Sequence, residues 1–121
     1  MTGEVILLIE DNPFTLKMVD YLLTEKSYIV HTATNATEAL HILTTLQPAL
    51  ILIDLQLPGM DGFELTRKLK RETKYQNTPI VAITAYAMKA DKEKALAAGC
   101  AGYITKPIDT RTLPDIIAGY L

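Results

Sequence analysis

Three short, continuous apolar runs constrain the fold of this chain more than any other feature of its sequence. They occupy residues 5–9, 49–53 and 79–83, and each contains β-branched residues and no charged residue. A half-exposed strand would alternate apolar and polar residues, whereas an uninterrupted run of this length is typical of a strand covered on both faces. The runs therefore predict the buried strands of a parallel sheet.

Amphipathic stretches separate the apolar runs and predict helices. Phe14, Met18 and Leu22 fall at the helical spacing i, i+4, i+8, with Val19 and Leu23 beside them. Similar apolar stripes predict four further helices, around 36–46, from 61 to about 73, over 90–98 and around 113–120. Each predicted strand is thus followed by a predicted helix.

Local signals mark several helix boundaries. Asn12 and Pro13 are suited to the N-cap and the first position of the first helix. Gly99 is a stop signal for the fourth helix. Asp109 or Thr112 is expected to cap the last helix.

Two weaker strands complete the pattern. Residues 28–33 include the polar His31 and Thr32, which favours a position at the edge of the sheet, and residues 100–104 form a short fifth candidate. The order is strand then helix, five times over. With right-handed crossovers this order predicts an α/β fold, a doubly wound parallel sheet with helices on both faces. All 121 residues are used by these units, so we expect one domain over 1–121 and no output domain.

Charge and cysteine content exclude several classes of protein. The chain has 12 Lys and Arg against 14 Asp and Glu, a net charge of −2, which gives no general attraction to nucleic acid or to an anionic membrane. A single cysteine cannot form an internal disulfide and fits a reducing compartment. No apolar run approaches the roughly 20 residues of a membrane span, and none resembles a signal peptide. We expect a soluble cytoplasmic protein.

Polar residues follow the predicted strands at positions that the topology brings to one edge of the sheet. They are Glu10 and Asp11 after the first strand, Asp54 after the third, Thr84 after the fourth, and Thr105, Lys106 and Pro107 after the fifth. In doubly wound folds, ligands bind at the carboxyl ends of the strands. These residues are therefore the candidates for a functional site.

The residue types at this edge are suited to phosphoryl transfer. Glu10, Asp11 and Asp54 would repel one another at close range unless a cation joined them. Mg²⁺ prefers oxygen ligands and often bridges carboxylates to a phosphate. Lys106 offers a positive charge to a phosphate oxygen, and Thr84 offers a hydroxyl.

Taken singly, these residues also have structural interpretations. Asp54 could open a turn before Pro58, Thr84 could be an ordinary strand residue, and Lys106 could be a solvated loop charge. None of these interpretations explains why three carboxylates converge at one edge.

Together these residues resemble a known family. The matching segments are Glu10-Asp11-Asn12, residues 53–62 (IDLQLPGMDG), Thr84-Ala85 and Lys106-Pro107. In order and spacing they are similar to the receiver domain of two-component response regulators, of the stand-alone or hybrid-kinase type. The resemblance covers essentially the whole chain and implies a flavodoxin-like (βα)5 fold with strand order 2-1-3-4-5.

The resemblance implies a role for each site residue. Asp54 would be the phosphoacceptor, and Mg²⁺ or Mn²⁺ would be bound by Glu10, Asp11, Asp54 and the backbone carbonyl of Gln56. Thr84, Ala85 and Lys106 would bind the phosphoryl group, and the Lys106–Pro107 peptide bond would be cis. Gln56 and Tyr86 would tune the rate at which the phosphate is lost.

The resemblance also implies how the signal is received and passed on. A sensor histidine kinase or a histidine phosphotransfer protein would donate the phosphoryl group. Thr84 and Tyr103 would act as a switch that changes the surface of the fourth helix, fifth strand and fifth helix, where a downstream protein would bind. Receivers of this kind also form weak homodimers. The chain would be no enzyme beyond promoting its own phosphorylation and dephosphorylation, with no nucleic-acid or membrane partner.

Three other hypotheses remain open at this point. A hydrolase or phosphotransferase using the same carboxylates on a small molecule would need insertions that form a substrate pocket. A flavodoxin-like nucleotide binder would need a phosphate-binding loop after the first strand, where Glu10 and Asp11 would repel phosphate. A degenerate receiver acting as a scaffold would have lost Asp54, Thr84 or Lys106.

Overall fold

The computed structural model describes residues 3–85 and 88–121, in which five strands form a parallel sheet. The strands are β1 (Val5–Ile9), β2 (Ile29–Ala33), β3 (Leu50–Asp54), β4 (Ile80–Thr84) and β5 (Gly102–Thr105). Their order across the sheet is β2-β1-β3-β4-β5, and every neighbouring pair is parallel. The predicted fold class and strand order are confirmed, including the position of β2 at an edge.

Within the residues that the structure describes, five α-helices connect and follow the strands. They are α1 (Pro13–Glu25), α2 (Ala36–Leu43), α3 (Gly62–Lys70), α4 (Lys89–Ala98) and α5 (Leu113–Ala118), with a short 3-10 turn at Thr73–Tyr75. The helix expected to run to about Thr73 ends at Lys70, and the chain then tightens into the 3-10 turn. No helix in the described ranges is both long enough and apolar enough to cross a lipid bilayer.

The boundary signals are realised in part. The Asn12 side chain accepts hydrogen bonds from the N–H groups of Phe14 and Thr15, at 3.0 and 3.1 Å, so it caps α1 as predicted. Gly99 ends α4 at φ +116°, a left-handed conformation that favours glycine. Thr112 holds the N-cap position of α5 without a capping hydrogen bond, because its backbone is helical there instead of extended.

The sheet separates two apolar layers, which explains the uninterrupted apolar runs. Along β1, Leu7 and Ile9 face the layer with α2, α3 and α4, whereas Ile6 and Leu8 face the layer with α1 and α5. All four side chains are fully buried. Burial on both faces removes the polar positions that an exposed strand face would require.

One helix presents a different face from the one that the spacing suggested. Val19 and Leu23 of α1 are fully buried, Met18 and Leu22 are partly buried, and Phe14 is 76% exposed. At 3.6 residues per turn, Phe14 lies about 140° around the helix from Val19. The stripe that begins at Phe14 is therefore not the centre of the buried face, and Phe14 remains on the surface.

Candidate functional site

The ends of four strands place the candidate side chains along one edge of the sheet. Asp54 and Thr84 are the last residues of β3 and β4, Glu10 follows β1 directly, and Lys106 follows β5. Because these strands are parallel, their carboxyl ends meet on the same side. Residues far apart in the sequence thus come within contact distance.

Asp54 lies at the centre of this edge and is held by two donors. Its side chain is 2% exposed. The Oδ2 atom accepts a hydrogen bond from Lys106 Nζ at 2.9 Å, and Oδ1 accepts one from the N–H of Gln56 at 2.8 Å. Each oxygen has its own donor, which fixes the rotation of the carboxylate.

Glu10 is fully buried beside Asp54. Its Oε2 atom accepts a hydrogen bond from the N–H of Asn12 at 3.0 Å, and its Oε1 atom lies 3.1 Å from Lys106 Nζ. Burial, followed by the hydrogen bond with Asp54, raises the pKa of Glu10 to about 7. Without a further cation, Glu10 therefore takes up a proton far more readily than an exposed carboxyl group does.

Lys106 bridges the two buried carboxylates. Burial lowers the pKa of its ammonium, but the hydrogen bonds and charges of Asp54 and Glu10 outweigh burial, so the pKa lies above its usual value. The ammonium is therefore charged at any physiological pH and offsets part of the negative charge. The peptide bond that follows it, Lys106–Pro107, is cis.

The donor set fits a hard divalent cation. One carboxylate oxygen from each of Glu10, Asp11 and Asp54 lies within 4.8 Å of the others, with Glu10 and Asp54 buried and Asp11 exposed. Lys106 supplies one positive charge against three carboxyl groups. The excess charge and the oxygen-only ligands match the preference of Mg²⁺.

A glycine lets α3 begin directly behind the end of β3. A Cβ atom at Gly62 would lie 2.5 Å from Leu55 Cα and 2.6 Å from the Asp54 carbonyl oxygen. Both neighbours are backbone atoms that cannot turn away. Gly62 thus permits a close approach between the start of α3 and the segment that carries Asp54.

An open groove of about 600 Å³ leads from the surface to Asp11 and Gln56. Its walls also include Leu55, Leu57, Pro58, Asp61, Phe63, Asp91 and Lys94. The Lys94 ammonium lies 4.4 Å from the centroid of the Phe63 ring. The sequence provided no sign that Phe63 and Lys94 lie beside the site, because the groove is created by the packing of α3 against α4.

The remaining candidates lie farther along β4 and β5. Thr84 is fully buried, and its carbonyl accepts a hydrogen bond from the N–H of Lys106 at 2.8 Å. Ala85 follows at an exposed position, whereas Tyr86, the other predicted rate-tuning residue, lies outside the described residues. Tyr103 is half-buried, and its hydroxyl has no hydrogen-bond partner in the described part of the chain. Burial, followed by the charge of Asp91, raises the pKa of Tyr103.

Comparison with protein families identifies this chain. Residues 6–118 match the response regulator receiver domain, so the chain belongs to that family. Receiver domains act in two-component signalling, where they interact with histidine kinases and downstream targets. They are signalling domains and not conventional enzymes.

Individual relatives agree with this assignment. The polar-differentiation response regulator DivK of Brucella anthropi is 36% identical over 116 residues, which cover 96% of this chain and 94% of DivK. The structure of the chemotaxis response regulator CheY4 of Vibrio cholerae superposes with a TM-score of 0.93 at 28% identity, covering 99% of this chain and 100% of CheY4.

The structure of a third relative contains a metal ion. The receiver domain of a sensor histidine kinase from Pseudomonas aeruginosa gives a TM-score of 0.89 at 31% identity and covers 98% of both chains. That structure has a magnesium ion coordinated in its active-site cleft.

Proposed function

We propose that Asp54 accepts a phosphoryl group from a phosphohistidine on a sensor histidine kinase or a histidine phosphotransfer protein. The observation that carries this proposal is the environment of Asp54. The carboxylate is almost fully buried at the end of β3, held by Lys106 and by the N–H of Gln56, and faces the carboxylates of Glu10 and Asp11. Burial of so much like charge is costly to a fold unless the group has a use there.

The proposed step is a direct displacement at phosphorus. An Asp54 carboxylate oxygen attacks the phosphorus atom, an O–P bond forms, and the P–N bond of the phosphohistidine breaks. The electron pair of that bond stays on the imidazole nitrogen, which solvent can protonate. The product is an acyl phosphate. Because phosphohistidine is a reactive donor, the domain mainly has to orient Asp54 and balance charge.

Residues around Asp54 supply that orientation and charge balance. Glu10, Asp11 and Asp54, with the backbone carbonyl of Gln56, would hold Mg²⁺ or Mn²⁺, which when bound neutralises charge on the phosphoryl oxygens. Lys106 provides a fixed positive charge beside the Oδ2 atom of Asp54. Thr84 would hold a phosphoryl oxygen, and Ala85 leaves room for the group.

The same proposal includes the output of the signal. Thr84 and Tyr103 would respond to the phosphorylated state and alter the surface formed by α4, β5 and α5. Met88 is 71% exposed at the start of α4, and Leu96 and Ile116 are also exposed large apolar residues. Apolar residues at the surface favour a protein interface, for a downstream target or a weak homodimer.

The phosphodonor would approach across the first turn of α1. Phe14 is exposed there, three residues after Asp11, and no described apolar cluster covers it. An exposed aromatic ring beside the site can anchor a partner protein. We place this exchange in the cytoplasm, which fits a chain whose one thiol, Cys100, is free and buried.

The proposal also covers the loss of the phosphoryl group. Gln56 is exposed at the groove, where its side chain would influence the approach of water to the acyl phosphate. Tyr86 is assigned the same role. Substituting Tyr86 by alanine is expected to shorten the lifetime of the phosphorylated protein, and an equal lifetime would remove Tyr86 from the proposal.

All three alternative hypotheses lose support. The residues of the loop after β1 present carboxylates to the site, which would repel the phosphates of a nucleotide. Asp54, Thr84 and Lys106 are all present at one edge of the sheet, so a degenerate scaffold has no feature in its favour. The family match over residues 6–118 favours a receiver over a small-molecule hydrolase.

Phosphorylation by a small-molecule donor tests the proposal. The protein is incubated with acetyl phosphate and Mg²⁺, and its intact mass is measured in acid, where acyl phosphates survive. We expect one phosphoryl adduct on the wild type and none on Asp54→Asn. Asp61→Asn is the matched control, because Asp61 is a carboxylate in the same groove and not in the metal cluster. No adduct on the wild type, or an unchanged adduct on Asp54→Asn, would overturn the proposal.

A further inference from the structure

A second groove lies at the end of the sheet opposite Asp54. The helix α3 begins against Leu55 and runs back, so that Lys70 at its end contacts the carbonyl groups before β4. Between the C-terminal halves of α2 and α3 is a groove of about 650 Å³. Its lining comprises Leu40, Leu43, Thr44, Lys68, Leu69, Arg71, Glu72, Lys74 and Tyr75.

The floor of this groove is apolar and preformed. Leu43, Leu69 and Tyr75 are buried, and Leu40 is half-buried beside them. The Tyr75 hydroxyl and the Lys74 ammonium each donate a hydrogen bond to the Leu43 carbonyl, both at 3.2 Å. These bonds join the end of α2 to the 3-10 turn and hold the floor in place.

The rim of the groove carries a positive charge that few acidic residues balance. Residues 67–74 contain five of the 12 Lys and Arg of the chain and a single acidic residue, Glu72, although the net charge of the chain is −2. Lys68 and Arg71 are exposed and form no ion pair with a carboxylate among the residues described. The C-terminus of α3 carries only about half an elementary negative charge, which cannot account for so many cations.

We propose that this groove is a docking surface for an acidic amphipathic segment of a partner protein. Apolar side chains of that segment would lie on Leu40 and on the small exposed parts of Leu43 and Tyr75, above the buried Leu69. Its carboxylates would face Lys68 and Arg71. A recessed apolar floor suits a peptide, whereas a polyanion such as nucleic acid would gain nothing from it and would be repelled by the acidic remainder of the chain.

The position of the groove gives the proposal a functional consequence. The groove and Asp54 lie at opposite ends of the sheet, so a segment bound in the groove does not obstruct the phosphorylation site. Docking is therefore independent of the phosphorylation state. Such a surface would tether the receiver to a partner while Asp54 remains open to its donor.

Binding of a designed peptide tests the proposal. The probe is a synthetic helical peptide with Leu at positions i, i+3, i+4 and i+7 and Glu elsewhere, titrated into the full chain labelled with nitrogen-15. We expect the largest amide shifts at the groove residues. The double variant Lys68→Glu and Arg71→Glu is expected to weaken binding about tenfold at low ionic strength. The matched double variant Lys17→Glu and Lys26→Glu, with exposed lysines on α1 across the sheet, is expected to bind normally.

The remaining arms can contradict the proposal. Equal binding of a scrambled peptide of the same composition would show that the apolar stripe of the peptide is not recognised. Amide shifts centred outside the groove would show that the groove is not the binding site. Binding of phosphatidylglycerol vesicles without binding of the peptide would show that the groove recognises an anionic membrane and not a protein segment. The Asp54→Asn variant is expected to bind the peptide as the wild type does, and a loss there would contradict independence from phosphorylation.

Discussion

Two half-buried lysines at opposite ends of the sheet have different hydrogen-bond acceptors and opposite pKa shifts. Lys106 contacts the carboxylates of Asp54 and Glu10 at 2.9 and 3.1 Å. Lys70 donates to the backbone carbonyls of Tyr75, Gln76 and Thr78 at 3.1, 3.3 and 2.7 Å. Burial lowers the pKa of Lys70, while the carboxylates raise that of Lys106 above its usual value.

The difference shows what each ammonium does. Neutral carbonyls bind the Lys70 ammonium but cannot compensate its loss of water, so this lysine fastens the end of α3 to the chain before β4. The carboxylates of Asp54 and Glu10 outweigh the effect of burial on Lys106, and the three carboxyl groups of the cluster still exceed its single positive charge. Lys70 therefore stabilises the fold, and under the proposed function Lys106 takes part in phosphoryl transfer.

Replacement of Lys106 should have the largest effect on activity. Lys106→Met removes the fixed charge beside the transferred group, so we expect phosphorylation by acetyl phosphate to slow about a hundredfold. Lys70→Met is the matched control and should phosphorylate at the wild-type rate. The rates are read from intact mass against time. Equal slowing in both variants would show that the two lysines do not differ in the way proposed.

Replacement of Lys70 should have the larger effect on stability. Lys70→Met takes this donor from the carbonyls of Gln76 and Thr78, while the Tyr75 carbonyl keeps the N–H of Thr78, and we expect the free energy of unfolding to fall by about 1–3 kcal/mol. Lys106→Met should cost less, because Glu10 can take up a proton once the ammonium is gone. Urea unfolding followed by circular dichroism measures both. A greater loss in Lys106→Met would reverse the assignment.

The pH dependence of metal binding tests the electrostatics of the Asp54 end. Since the pKa of Glu10 is about 7, Mg²⁺ must displace a proton at lower pH. The dissociation constant should rise by up to about tenfold per pH unit below that value and level off above it. Calorimetric titration gives the profile, and Glu10→Gln should flatten it. A flat wild-type profile would exclude Glu10 as the titrating group.

The raised pKa of Glu10 gives the stability of the metal-free protein the opposite pH dependence, so that stability falls as the pH rises. The folded-state pKa of Glu10 lies above its usual 4.5, so the folded state binds a proton more tightly than the unfolded state. The contribution of Glu10 to stability is therefore complete below pH 4.5 and is lost as the pH rises through about 7. The difference between wild type and Glu10→Gln in urea unfolding isolates this contribution.

The smallest effect should come from Phe14. Phe14→Ala is expected to slow phosphorylation by a histidine phosphotransfer protein severalfold, because the exposed ring would be lost from the part of α1 where the phosphodonor would bind. Phosphorylation by acetyl phosphate should not change, since the Phe14 ring is 76% exposed and is not part of the carboxylate cluster. Tyr21→Ala, an exposed aromatic residue farther along α1, is the control. A slower reaction with acetyl phosphate would show that Phe14 acts on the site itself.

Much of the fold could be predicted because buried strands need uninterrupted apolar residues. The runs at 5–9, 49–53 and 79–83 match β1, β3 and β4 to within one residue at each end. The candidate site followed from topology, since parallel strands bring their carboxyl ends together. The face of α1 could not be predicted as well, because Phe14 shares the helical spacing of Met18 and Leu22 and yet is exposed, while those two are packed against the core.

The sequence by itself determined the order of strands and helices, the caps at Asn12 and Gly99, and the residues that follow each strand. These are local properties: apolar patterning, backbone preference and position in the chain. Only the tertiary structure decided that Glu10 is fully buried, that Lys106 and not Lys70 meets carboxylates, and that a cationic groove lies opposite Asp54. Desolvation and the distance between charges depend on which segments pack together, and a side chain's type does not specify them.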